Sequence, residues 1–162
     1  MKTVPREPII EAWDRLCDLN KKQSTELSRR FTEGQPAVSV YLLAWTEEIG
    51  PEATQSPLIE LAMLVWKVMT STAGKPLPEI VPEALERAEK ANTEMLENLS
   101  EGSEFEMHYS AAGLITSFNQ SELLGFCIEV LMQDDSDQPE LAPERIGMEL
   151  LVLKTIIDCF DQ

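Results

Sequence analysis

Two stretches of this chain are apolar on nearly every side, and they restrict its fold more than any other feature. Residues 57–71 read PLIELAMLVWKVMTS, with Glu60 and Lys67 the only charges, and residues 143–160 read PERIGMELLVLKTIIDCF. A helix that is hydrophobic all round must be enclosed by other elements. The pattern therefore predicts two central rods pressed against each other, with the remaining segments laid around them.

Those segments carry the same period. Apolar residues recur at three and four positions, sustained alternation is lacking, and Gly and Pro punctuate the runs. The fold class expected is all-α, a compact bundle of six or seven helices. A first helix begins after Pro5 or Pro8 with the stripe Ile9, Trp13 and Leu16, breaks across the polar residues 20–24, resumes at Leu27 and Phe31, and ends at Gly34. A second starts at Pro36, carries Val38, Tyr41, Leu42, Trp45 and Ile49 on one face, and stops at Gly50-Pro51. Ser56 is placed to cap the first rod. Leu85, Ala88, Met95, Leu96 and Leu99 mark the inner face of a helix over 83–101, and the pairs Ser103/Glu106 and Asn119/Glu122 have capping-box spacing. Cys17, Cys127 and Cys159 are widely separated and sit among apolar residues, so each reads as a core residue and not as part of a disulfide framework.

At 162 residues the chain fits a single all-helical domain, residues 1–162. Within it, three matches recur in the same order: TELSRRFTEG (25–34) with TEMLENLSEG (93–102), residues 42–45 with 123–126, and LAMLVWKVM (61–69) with MELLVLKTI (148–156). They predict a degenerate two-fold repeat of a three-helix unit, residues 7–72 and 83–160, joined by a Pro-rich connector over 73–82, with one helix inserted in the second copy.

Charge divides the chain unevenly. The formal net charge is −16; residues 1–80 hold 11 acidic and 9 basic side chains, whereas residues 81–162 hold 18 and 4. A field of that sign repels nucleic acid and attracts cationic protein. The basic cluster Lys21, Lys22, Arg29 and Arg30 in the first half would suit an acidic patch of the same chain or of a second copy, which makes a homodimer one expected assembly. The start of the chain lacks the apolar core of a secretory signal and no run is long enough to span a bilayer, so the expectation is a cytoplasmic protein without membrane contact.

No catalytic signature emerges. His108 is the single histidine and lies with Tyr109 in the long uncharged stretch 107–121; a lone histidine without an orienting partner is no nucleophile activator and no metal ligand set. Glu83, Glu86, Glu94 and Glu97 repeat an E-x-x-E spacing that can hold magnesium in helical phosphohydrolases, although Lys90 stands four residues from both Glu86 and Glu94, as on a solvated face. Asp134, Asp135 and Asp137 lack the glycine and closing glutamate of a calcium loop. The sequence implies no cofactor and no metal. The expectation is a non-catalytic helical interaction, adaptor or small regulatory protein whose acidic surface meets another, basic protein. The alternatives are a metal-dependent hydrolase of a phosphorylated small molecule using the helix carboxylates, or an acidic mimic of nucleic acid.

Overall fold

The structure is a computed structural model, and it describes residues 1–49, 56–100, 118–133 and 143–162. Among the described residues it is all-α, with seven helices and no strand: α1 (Arg6–Cys17), α2 (Lys21–Gly34), α3 (Pro36–Ile49), α4 (Leu58–Ala73), α5 (Pro82–Ser100), α6 (Ser121–Gln133) and α7 (Pro143–Phe160).

Local chemistry sets most of the boundaries. The break between α1 and α2 is made by Asn20 and Gln23, which form a reciprocal capping box: the Gln23 amide N–H donates to Asn20 Oδ1 and the Asn20 N–H donates to Gln23 Oε1, each at 3.0 Å. Pro36 opens α3 at a position where no backbone donor is missed. The N-cap of α4 is Pro57 and not the expected Ser56, whose Oγ, one residue further out, accepts from the Leu58 N–H at 3.1 Å; α4 ends at Gly74 in the left-handed region (φ 65°), where glycine carries no steric penalty. Asn119 turns its side chain elsewhere than the expected cap: its Nδ2 donates to the Met1 carbonyl and the Asp161 carboxylate, and its Oδ1 accepts from the Thr3 hydroxyl. Ser103 and Glu106 lie outside the described residues.

The two apolar rods meet at the centre. In α4, Leu58, every residue from Leu61 to Val65, and Val68 and Met69 are buried; in α7, Val152, Leu153, Ile156, Ile157, Cys159 and Phe160 are buried, and the two helices pack together. α1 and α2 lie on α4, with Phe31 of α2 edge-on to Trp66 at 5.6 Å. α5 and α6 lie on α7. Burying each such leucine or isoleucine contributes about 1.5–3 kcal/mol, so these two helices supply much of the apolar driving force. Cys127 and Cys159 are buried as expected; Cys17 is exposed, because it lies on the outer side of α1, away from the Ile9–Leu16 stripe.

Two buried glutamines do the same job in the two halves. Gln35, immediately before α3, donates from Nε2 to the Pro78 carbonyl and accepts from the Ile80 N–H, both at 3.0 Å. Gln120, immediately before α6, donates to the Lys2 carbonyl at 3.2 Å and accepts from the Val4 N–H at 2.9 Å. Each side-chain amide thus pairs with an extended segment as a neighbouring strand would, satisfying main-chain groups that burial would otherwise strand. Each clasped segment seats one apolar side chain, Ile80 or Val4, and then leads into a helix, α5 or α1.

The correspondence extends along the helices. Val4, Ile9 and Leu16 are buried, and so, 76 positions later, are Ile80, Leu85 and Asn92; Gln35, Val38 and Leu42 are buried, and so, 85 positions later, are Gln120, Leu123 and Cys127. α1 contacts α4 and α6, while α5 contacts α7 and α3. The start of each half's second corresponding helix therefore grips the lead-in to the other half's first. The stretch TELSRRFTEG falls in α2, whereas its echo begins in the second half of α5, at a separation of 68 positions instead of 76.

Candidate interaction groove

Along the contact of α3 with α5, the connector residues Glu79, Ile80 and Val81 complete a groove of about 480 Å³. Its position follows from the Gln35 clasp. By holding Pro78 and Ile80 against the start of α3, Gln35 seats Ile80 inward, while Val81 lies outside. Val40 on α3 is 66% exposed and Val81 is 52% exposed; Leu43, one turn further along α3, is 58% exposed. Valine at that exposure is unremarkable singly, but here two valines line one concavity.

The rim is acidic. Glu79, Glu86 and Glu89 line the groove, no Lys or Arg does, and none of the three carboxylates forms an ion pair with another described residue. Tyr41 forms part of the floor, edge-on to Trp45 at 6.4 Å, and its phenol is pushed up to about 12 by burial first and by the Glu89 charge second. It stays a neutral hydroxyl at any physiological pH.

The corresponding place in the other half, between α1 and α6, is spanned. Arg6 reaches from α1 to Glu129 (2.5 Å) and Glu122 (3.7 Å) on α6, and Trp13 packs edge-on against Phe126 at 6.1 Å. The hydrogen bond and charge of Glu129 hold the Arg6 pKa above its ordinary value. Counting 76 positions on from α1, Arg6 corresponds to Pro82 and Trp13 to Glu89; counting 85 back from Phe126 gives Tyr41. The cation that crosses one groove has no counterpart in the other.

The carboxylates singled out in the sequence share one face of α5. Glu83, Glu86, Glu94 and Glu97 are all exposed, and Lys90 pairs with Glu94 at 3.9 Å with both side chains largely in solvent. Glu86 alone of the four lines the groove. Among the described residues no three His, Cys, Asp or Glu side chains converge as a metal would require. His108 and Tyr109 lie outside the described residues, as do Asp134, Asp135 and Asp137. The cysteines offer no thiolate near neutral pH: burial pushes Cys127 up to about 12 and Cys159 up to about 11, and partial desolvation beside Asp14, Asp18 and Glu60 raises Cys17.

Lys21 and Lys22 are exposed, and Arg29 is engaged within its own helix by Glu26 and Glu33 at 2.7 and 2.6 Å. The buried polar residues of α7 were not evident in the sequence. Arg145 and Glu149 lie 3.4 Å apart and enclosed, and Asn92 of α5 donates to Thr155 and Asp158, the latter also paired with Lys154. Val40 and Leu43 were missed as well. Their signal is present: two apolar residues on the side of α3 opposite Val38, Leu42 and Trp45.

Comparison with protein-family models, with curated proteins and with solved structures found no match.

Proposed function

We propose that the protein is a non-catalytic interaction protein whose acidic second half binds a basic protein partner. The observation that carries this reading is the acidic surface of α5 and its connector: Glu79, Glu83, Glu86, Glu89, Glu94 and Glu97 are exposed or half-buried along one connector and one helix, against only Arg87 and Lys90 on the same helix. Such a cluster accelerates encounter with a cationic partner and selects against anionic ones. Fold alone argues for no activity. The hydrolase alternative has the doubled E-x-x-E spacing behind it, without a convergent ligand set among the described residues.

The test is capture on immobilised full-length protein, comparing the wild type with the Glu83→Gln/Glu86→Gln/Glu94→Gln/Glu97→Gln variant. Basic proteins should be retained by the wild type at low salt, lost as the Debye length falls from about 10 Å at 0.1 M to about 3 Å at 1 M, and retained poorly by the variant. Equal retention by both proteins at both salt concentrations overturns the reading. A rise in the thermal midpoint with millimolar Mg²⁺ that EDTA reverses would favour the hydrolase instead, since a ligand of the folded state must stabilise it.

A further inference from the structure

We propose that the groove between α3, residues 79–81 and α5 is the docking site for a segment of a partner protein that presents an apolar side chain flanked by Lys or Arg. This rests on the reading of the protein as a binder of basic proteins, and it names where and by what chemistry the partner is held.

Three observations converge on that occupant. The groove exposes Val40 and Val81, whose apolar surface is removed from water only by something seated between α3 and the connector. Glu79, Glu86 and Glu89 rim it without a cation from the described chain, so an apolar anchor alone would leave three carboxylates facing a partner without compensation. The α1–α6 groove supplies an internal template: there the chain's own Arg6 bridges Glu122 and Glu129 while Trp13 covers Phe126. In the α3–α5 groove Pro82 stands where Arg6 does, and Ala37 and Ala44 stand where Glu122 and Glu129 do; the rim carboxylates there lie on the connector and α5 instead, and no Lys or Arg lines the groove with them.

Charge also decides against other occupants. A second copy carries the same net −16, which opposes its approach; its exposed Lys21 and Lys22 are the cations it could bring, and sedimentation separates that case. The chain's own segments 50–55, 101–117 and 134–142 contain Glu and Asp and not one Lys or Arg, so none brings the missing cation. Nucleic acid and anionic lipid surfaces are repelled by the same rim.

The experiment selects a phage library of random peptides of about 12 residues, some three helical turns, on the full-length protein. It is repeated on the Val40→Ser/Val81→Ser variant and on the Glu79→Gln/Glu86→Gln/Glu89→Gln variant, all changes being at exposed or half-buried positions. Circular dichroism and the thermal midpoint establish that the variants fold. The expected result is enrichment on the wild type of peptides pairing Leu, Ile, Phe or Trp with Lys or Arg, with affinity lowered about tenfold or more in each variant. If basic peptides bind wild type and V40S/V81S equally, the acidic-partner reading stands and the groove proposal falls. If no basic peptide is enriched, both fall. If sedimentation shows a dimer of the wild type that V40S/V81S dissociates, a second copy is the occupant and the proposal is overturned.

Discussion

The two central helices bury the same spacing of positions with different chemistry. Leu61, Leu64, Val65, Val68 and Met69 are fully or almost fully enclosed in α4; at the same intervals in α7 stand Glu149, Val152, Leu153, Ile156 and Ile157, also enclosed. α4 is thus held by packing alone at its centre. α7 adds polar ties: Glu149 is paired with Arg145 along its own helix, and Thr155 and Asp158 receive the Asn92 amide from α5. A buried ion pair gives little net stability, because desolvation offsets most of its attraction, and one within a single helix orients no neighbour; the Asn92 amide, in contrast, ties α5 to α7 in one register. The comparison teaches that one rod supplies bulk stability, whereas the other fixes which way its neighbours sit.

The largest expected effect comes from breaking the polar rod. Arg145→Ala removes the cation 3.4 Å from the enclosed Glu149 carboxylate and should cost about 3–5 kcal/mol, whereas Arg145→Met with Glu149→Leu, which places there the residue type of Leu61 in α4, should cost less. Urea unfolding of the three proteins checks this, and a double variant as unstable as Arg145→Ala would refute the comparison. Leu64→Ala in the apolar rod should cost about 2–5 kcal/mol, with no second change of charge able to restore it.

The clasps offer the next contrast. Gln35→Ala removes two hydrogen bonds to a buried segment, whereas Gln120→Ala removes the corresponding two and a third, donated to Asp161 Oδ1 at 2.7 Å; each unpaired main-chain group costs about 1–3 kcal/mol. If the two devices are equivalent, the loss at Gln120 should match or exceed that at Gln35 in unfolding measurements. A near-zero effect at one site alone would show that only the other is needed to seat its helix.

The sequence made the helices and the two rods legible because both depend on local signals: a period of three to four, Gly and Pro stops, and runs such as residues 61–69 with Lys67 as the single charge. The Gln35 and Gln120 clasps were illegible because their partners stand 43 and 45, and 116 and 118, positions away, and a glutamine beside a helix start looks like any turn residue. The enclosure of Glu149 was illegible for a different reason. A glutamate in an otherwise apolar helix reads as its solvated edge, and only the packing of α7 on α4 and α5 reveals that no such edge exists there. The groove lay in between, since Val40 and Leu43 were visible as off-face residues, but the connector that makes a concavity of them is placed by Gln35.

Tyr41 and Phe126 hold corresponding places in the two grooves, and pH separates them. The Tyr41 phenol is raised from 10 to about 12 by burial and by Glu89, so the folded chain keeps a proton that the unfolded chain releases. Its contribution is complete below pH about 10 and is lost as pH rises through about 12, which makes the wild type weaken in alkali. Tyr41→Phe, which copies Phe126, should flatten that part of the stability profile in urea titrations between pH 9 and 12; an unchanged slope would place the alkaline loss elsewhere.

The smallest effect concerns the outer face of α5. Glu86 and Glu94 are exposed, and the Lys90–Glu94 contact of 3.9 Å joins two side chains that are 78% and 60% exposed. A pair of that kind is screened and entropically loose, so Glu86→Gln with Glu94→Gln should change unfolding free energy by no more than about 0.5 kcal/mol. Retained stability combined with weakened capture of basic proteins would separate the binding surface from the fold it stands on. A large loss of stability would instead make these carboxylates part of the architecture, and the contrast between a self-neutralised α1–α6 groove and an open α3–α5 groove would lose its functional meaning.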